Sequence, residues 1–199
     1  NPFDSFLTCN DRLPLKLSAD ETTLLGPCLD SYSLMGPGDA ELVKSLCREV
    51  EVRGNGSVLS TLQALNYYLF EYVDKTTRHD RGLQSVGTTL MTAQGACRDT
   101  ALVFMAACRS WGIPARFVSG CQEGDPDQTE GELHAWVEVY LPGFGWLGYD
   151  PTYGLAVADR HISYASSALP EQAAPVTRNF RGTGAAAAMT HQVEMSVEK

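Results

Sequence analysis

An α+β fold built around one buried helix is what the sequence predicts, and three observations predict it. Two amphipathic helical patterns come first. A third helical run, Cys97 to Trp111, is apolar around most of its circumference, as helices inside a core are. Three β-rich runs follow, the last two arranged as a hairpin.

Residues 1–38 read as irregular, with Leu13 to Leu17 alternating like a short strand and Gly26-Pro27 and Gly36-Pro37-Gly38 marking loops. Asp39 is placed to cap a first helix, on which Leu42, Val43, Leu46, Cys47 and Val50 recur at helical spacing before Gly54-Asn55-Gly56 ends it. Ser57 is placed to cap a second, with Leu59, Leu62, Leu65, Leu69 and Tyr72 on one stripe. From Thr76 to Gly95 the pattern breaks into a polar stretch. It reads as a long loop with at most one helical turn, anchored by Leu83 and Leu90.

The third helix ends at Gly112, suited to a left-handed residue, and Pro114 stops continuation. Pro114 to Cys121 is β-rich. After a polar loop, His134 to Leu141 and Trp146 to Asp150 flank the turn Pro142-Gly143-Phe144-Gly145. In the tail, His161 to Tyr164 suggests a short strand and Val193 to Val197 an added edge strand. The organisation expected is a connector or remnant of a preceding β domain over 1–25, a core over 26–160 and a C-terminal extension over 161–199.

A chain of 199 residues, 44% apolar and 20% charged, suffices for one globular core. Its formal charge of −9 repels nucleic acid and anionic lipid, so neither is expected as a partner. No apolar run approaches the roughly 20 residues that span a bilayer. The opening Asn1-Pro2-Phe3-Asp4 has no Met and no signal-peptide pattern, which suggests a fragment or a trimmed chain. The cysteines at 9, 28, 47, 97, 108 and 121 show no CxxC spacing. They are expected to be reduced, in a cytoplasmic protein.

Three residues carry chemistry. Cys97 opens the buried helix, where unpaired backbone N–H groups and the positive end of the dipole favour thiolate, the nucleophilic form. Gly95 lets a loop backbone approach it. Cys108, deep on the same helix, reads instead as a small hydrophobe. His134 opens a strand. Period two puts it with Trp136, Glu138 and Tyr140, opposite a core face of Ala135, Val137, Val139 and Leu141. Asp150 shares the His134 face if the hairpin turn holds an odd number of residues, and is otherwise a turn-forming Asp before Pro. Together they supply a nucleophile, a base and a group to orient it, with the Cys97 N–H as one oxyanion donor and Gln94 as a candidate for a second.

Five blocks carry a resemblance. Gly95-Ala-Cys97-Arg-Asp99, Gly112-Ile-Pro-Ala-Arg116, Val118-Ser-Gly120, His134-Ala-Trp-Val-Glu-Val139 and Gly145-Trp-Leu-Gly-Tyr-Asp-Pro-Thr152 resemble, in that order, the transglutaminase-core superfamily. The resemblance is to its bacterial transglutaminase-like, cysteine-peptidase branch. It implies a papain-like α+β fold, with the nucleophile helix packed on an antiparallel sheet or open barrel, and Cys97, His134 and Asp150 as the triad. Two departures stand out. Cys121 replaces the branch's usual aromatic after Val-Ser-Gly, and Ser166-Ser167-Ala168-Leu169 replaces its Gly-Arg-Asp-Tyr-type segment after His161-Ile162.

The expected reaction is attack on an amide carbonyl to leave an acyl-thioester on Cys97. Water then completes a peptidase or amidase cycle, or an amine completes a transglutaminase cycle; the triad is common to both. Hydrolysis of a peptide or protein amide is the favoured expectation, with no cofactor and no EF-hand calcium loop. Two other readings are a zinc site of Cys97, Cys121, His134 and Asp150, and a non-catalytic scaffold of the same fold.

Overall fold

The computed structural model describes residues 12–78, 82–122 and 132–175. Two short helices, α1 (Ala19–Leu24) and α2 (Gly26–Leu29), lead to α3 (Asp39–Gly54) and α4 (Val58–Tyr72). Strand β1 (Asp74–Lys75), helix α5 (Val86–Thr92) and strand β2 (Gln94–Gly95) follow, and α6 spans Cys97–Ser110. The remaining strands are β3 (Ala115–Gln122), β4 (Glu132–Leu141), β5 (Gly145–Asp150), β6 (Leu155–Ala156) and β7 (His161–Ser167). Among the described residues no helix is long and apolar enough to cross a membrane.

Helix α6 organises the core. Every residue from Asp99 to Arg109 is buried, with α3, α4 and α5 on one side and β3 and β4 on the other. Phe104 stacks on Tyr149 of β5, ring centroids 5.6 Å apart. Burying each such large apolar side chain is worth roughly 1.5–3 kcal/mol. Gly112 takes φ +73° as the chain leaves it.

The antiparallel sheet has the order β6-β5-β4-β3-β7 and does not close into a barrel among the described residues. On β4, Ala135, Val137, Val139 and Leu141 are buried against the helices, as period two requires. The β4–β5 turn holds three residues, Pro142 to Phe144, because Leu141 pairs with Gly145. Tyr149 therefore pairs with Val137, and Asp150 falls on the face of His134 and Trp136. Strand β7 completes the sheet by pairing with β3, with a register shift at Ser119/Gly120.

Several elements differ from the sequence reading. Leu13 to Leu17 form no strand. Leu15 is buried in the core, with Leu13 and Leu17 packed against it, so the alternation reflects anchoring without a strand partner. The following stretch is helical where an irregular connector was expected: Ser18 Oγ accepts from the Glu21 N–H, while the Glu21 carboxylate accepts from the Ser18 N–H. Asp39 is the first residue of α3 and not its cap; its carboxylate accepts the Gly36 N–H at 2.9 Å. The expected long loop contains α5, capped by Ser85 through the Thr88 N–H. The edge strand expected at Val193 to Val197 lies outside the described residues.

Candidate active site

Cys97 sits in the first turn of α6, where its backbone N–H has no partner inside the helix. The head of that helix is clamped by Asp99, a fully buried carboxylate. Its Oδ2 accepts from the Ala96 N–H at 3.0 Å and pairs with Arg78 at 2.6 Å, and its Oδ1 accepts from the Gln84 N–H at 2.7 Å. One carboxylate thus fixes the loop, the helix start and the thiol between them. Gly95, just ahead, has room for little else: a Cβ there would stand 3.2 Å from both Asp99 and Thr89 side-chain atoms.

The structure brings Cys97, His134 and Asp150 together. His134 Nε2 lies 2.7 Å from Asp150 Oδ2, and the Cys97 thiol is within hydrogen-bonding reach of the same imidazole. Asp150 is buried and His134 nearly so, whereas Cys97 is half-buried. Cys97 and His134 line an open cleft of about 340 Å3, walled by Leu83, Phe117, Ser119, Leu133, Ala135 and Pro170. Asp150 also makes the turn contact expected of an Asp before Pro, its Oδ1 accepting the Thr152 N–H at 3.0 Å. The two carboxylate oxygens carry separate tasks.

Burial alone would lower the His134 pKa, but hydrogen bonds to Asp150 and Cys97, and the charges behind them, raise it to about 9. Burial pushes Asp150 upward, and the two imidazoles that hydrogen-bond it, with their charge, bring it down to about 2. Raised His134 stabilises the fold fully below its unfolded pKa of about 6.5 and loses that contribution as pH climbs through about 9. Depressed Asp150 contributes above its unfolded value of about 3.9 and loses the contribution as pH falls through about 2. The stability gap between wild type and an Asp150→Asn variant, measured by urea unfolding, should therefore be widest at roughly pH 4–6.5 and shrink on either side.

The model of the transglutaminase-like superfamily matches residues 44–151, more than half of the chain and all three of these side chains. The chain belongs to the transglutaminase-like superfamily. Among curated relatives, an uncharacterised Mycobacterium leprae protein is 32% identical over 121 residues, covering 58% of this chain and 41% of that protein. A protein-glutamine gamma-glutamyltransferase of Pseudomonas aeruginosa is 34% identical over 117 residues, covering 55% of this chain and 17% of the enzyme. The chain thus spans less than half the length of either relative. Among solved structures, the "putative cysteine protease" of Cytophaga hutchinsonii superposes with a TM-score of 0.56 at 22% identity, covering 77% of this chain and 48% of that one. That likeness establishes the shared papain-like, transglutaminase-like fold.

The remaining candidates fare differently. Gln94 is exposed on β2, its carbonyl accepting the Gln84 side-chain amide, and it does not line the cleft. Among the described residues, the groups that converge closely enough to hold a metal are His134, Asp150 and His161, their ligand atoms within 4.8 Å of one another. Neither Cys97 nor Cys121 of the zinc set considered above joins them, and Cys121 instead accepts a hydrogen bond from the Tyr164 hydroxyl at 3.0 Å. In that trio both imidazole Nε2 atoms point at Asp150 Oδ2, an arrangement of hydrogen bonds. His161 is the member that reasoning from sequence missed. Its one signal is its place in the His161-Ile162 pair that follows the five matching blocks, which carries no chemistry by itself.

Proposed function

We propose that this chain performs cysteine-dependent acyl transfer on amide bonds, with Cys97 as nucleophile, His134 as base and Asp150 as the group that orients it. The observation that carries the reading is His134 held between a buried carboxylate at 2.7 Å and a thiol at the head of a buried helix. With Asp150 ionised and able only to accept, His134 Nε2 must donate, which leaves the Nδ1 lone pair for the thiol proton. Proton transfer gives an imidazolium–thiolate pair. The thiolate attacks the carbonyl carbon, and the Cys97 N–H, unpaired in the first turn of α6, is the donor that would meet the oxyanion. His134 returns the proton to the leaving amine as the C–N bond breaks, leaving an acyl-thioester.

Water then adds to the thioester with His134 again removing its proton, and the acid leaves as the thiolate reforms. Two features favour this hydrolytic ending: Cys97 is only half-buried, and its cleft opens to solvent, whereas transamidation needs water kept from the thioester. The second reading, a protein-glutamine transglutaminase using an amine acceptor, is favoured by the 34% identity to the Pseudomonas aeruginosa enzyme of that name.

Iodoacetamide at mildly acidic pH is expected to label Cys97 ahead of the other cysteines, and the preference should vanish in His134→Ala. Equal, slow labelling of all thiols in wild type would support the scaffold reading instead. Mass spectrometry of the acyl-enzyme formed from a library of peptide amides and glutamine peptides then reports the donor. Decay of that species to free acid whether or not a primary amine is added supports the peptidase or amidase, and conversion to the amine adduct supports the transglutaminase.

A further inference from the structure

We infer that His161 is a positioning residue for this site: by donating from β7 to Asp150 Oδ2, it fixes the carboxylate that orients His134. The inference rests on the triad reading above and adds a member to it.

Distance in the sheet makes the contact notable. Strands β5 and β7 are separated by β4 and β3, about 14 Å at the usual strand spacing. His161 nevertheless places Nε2 3.0 Å from Asp150 Oδ2, with its side chain only 2% exposed. Two features of the sheet face permit this. Gly120 of β3 offers no side chain, and the Trp136 ring fills the space over it. His161 then stands edge-on to Trp136, ring centroids 5.2 Å apart at 75°.

The hydrogen-bond inventory assigns the role. His161 Nδ1 is buried with no partner among the described residues, so the bond to Asp150 is what this imidazole gains for being buried. An ionised Asp150 accepts only, so His161 must hold its proton on Nε2. Asp150 Oδ2 is then fixed by two N–H donors from two different strands, β4 and β7, and Oδ1 by the Thr152 N–H. Remove the β7 donor and Oδ2 is held by His134 alone, the group it is meant to aim. The titratable and charged groups facing this unit are Cys97 from α6, His134 from β4, Asp150 from β5 and Tyr153 after it. Tyr153 packs on His134 at 5.3 Å and carries the Lys75 ammonium of β1 on its ring.

The test follows alkylation of Cys97 by iodoacetamide from about pH 4 to pH 9, read by peptide mass spectrometry on the whole chain. His161→Gln keeps a side-chain N–H donor; His161→Phe fills the space without one. With His161→Phe the rate near pH 5 should fall about tenfold or more, the scale of one hydrogen bond to a charged group. The acid limb should also move to higher pH, because a less firmly held carboxylate supports the imidazolium–thiolate pair less. His161→Gln should retain most of the rate and the wild-type limb. A ring that only fills space predicts the reverse: His161→Phe keeps the limb and His161→Gln loses stability. That result, or a limb unmoved in both variants, overturns the inference. A His134→Ala control separates the two readings. If it leaves the Cys97 profile unchanged, the triad itself fails; if it flattens the profile while His161→Phe does not shift it, only the role of His161 fails.

Discussion

Asp150→Asn is expected to lower acyl transfer by about 10³–10⁴-fold while leaving the chain folded. The size follows from counting donors. Asp150 receives three N–H groups, from His134 and His161 on Oδ2 and from Thr152 on Oδ1. Asparagine has one oxygen and an NH2. If its oxygen stays with Thr152, the NH2 faces both imidazole Nε2 atoms, which must then accept. The His134 proton moves to Nδ1, the atom that has to be bare to take the thiol proton, and the base is in the wrong tautomer. If the amide flips, NH2 meets the Thr152 N–H, donor against donor, and the turn after β5 loosens. Either arrangement disarms His134 without a change of volume. The measurement is Cys97 alkylation near pH 5, then turnover once a donor has been trapped. A rate within about threefold of wild type, on a folded protein, would remove Asp150 from the proposed mechanism.

How much of this was legible in the sequence depends on how local each signal is. Helices α3, α4 and α6 announce themselves through long stripes, and α6 through apolarity on all sides, because burial acts on every turn. The hairpin was legible for a related reason. Its register needed only the parity of one turn, and the observed three-residue turn puts Asp150 beside His134. Shorter elements were missed where the signal was a cap and not a stripe. Ser18-Ala-Asp-Glu21 is a capping-box pattern ahead of α1, and Ser85 caps α5, but neither helix is long enough to display a period. The Thr88-Thr89 pair in α5 also has low helix propensity, so the Ser85 cap and the packing of Val86 and Leu90 into the core secure that turn.

The site divides in the same way. Cys97, His134 and Asp150 stand at element boundaries where the local pattern gives each a reason to matter. Asp99 and His161 act through contacts distant in the chain. The Asp99 carboxylate reaches Arg78, 21 residues back, and His161 reaches Asp150 across two intervening strands. The first depends on how the chain after β1 lies over the head of α6, the second on sheet order and on which strand lies next to β3, and periodicity cannot report either.

Gly120→Ala should be among the most damaging single-methyl changes in the chain, and it ties the sheet to the site. A Cβ on Gly120 would stand 2.1 Å from the Ile162 carbonyl oxygen of β7 and 2.4 Å from Cη2 of Trp136. The carbonyl belongs to the backbone and cannot rotate away, while the indole is 1% exposed in a close-packed interior. Either β7 must part from β3 or Trp136 must leave its seat. Overpacking of this kind costs roughly 1–3 kcal/mol or more, which for a domain of this size lowers Tm by about 2–12 °C. Both escapes disturb His161, which stands on β7 and packs edge-on to Trp136, so Cys97 alkylation near pH 5 should slow along with the loss of Tm. Gly26→Ala is the matched control. It lies in α2 with nothing within 4 Å of a new Cβ and should leave Tm within about 2 °C of wild type. A Gly120→Ala protein that melts with wild type would mean that β7 does not lie against β3 at Ile162, and the path from His161 to Asp150 would have to be redrawn.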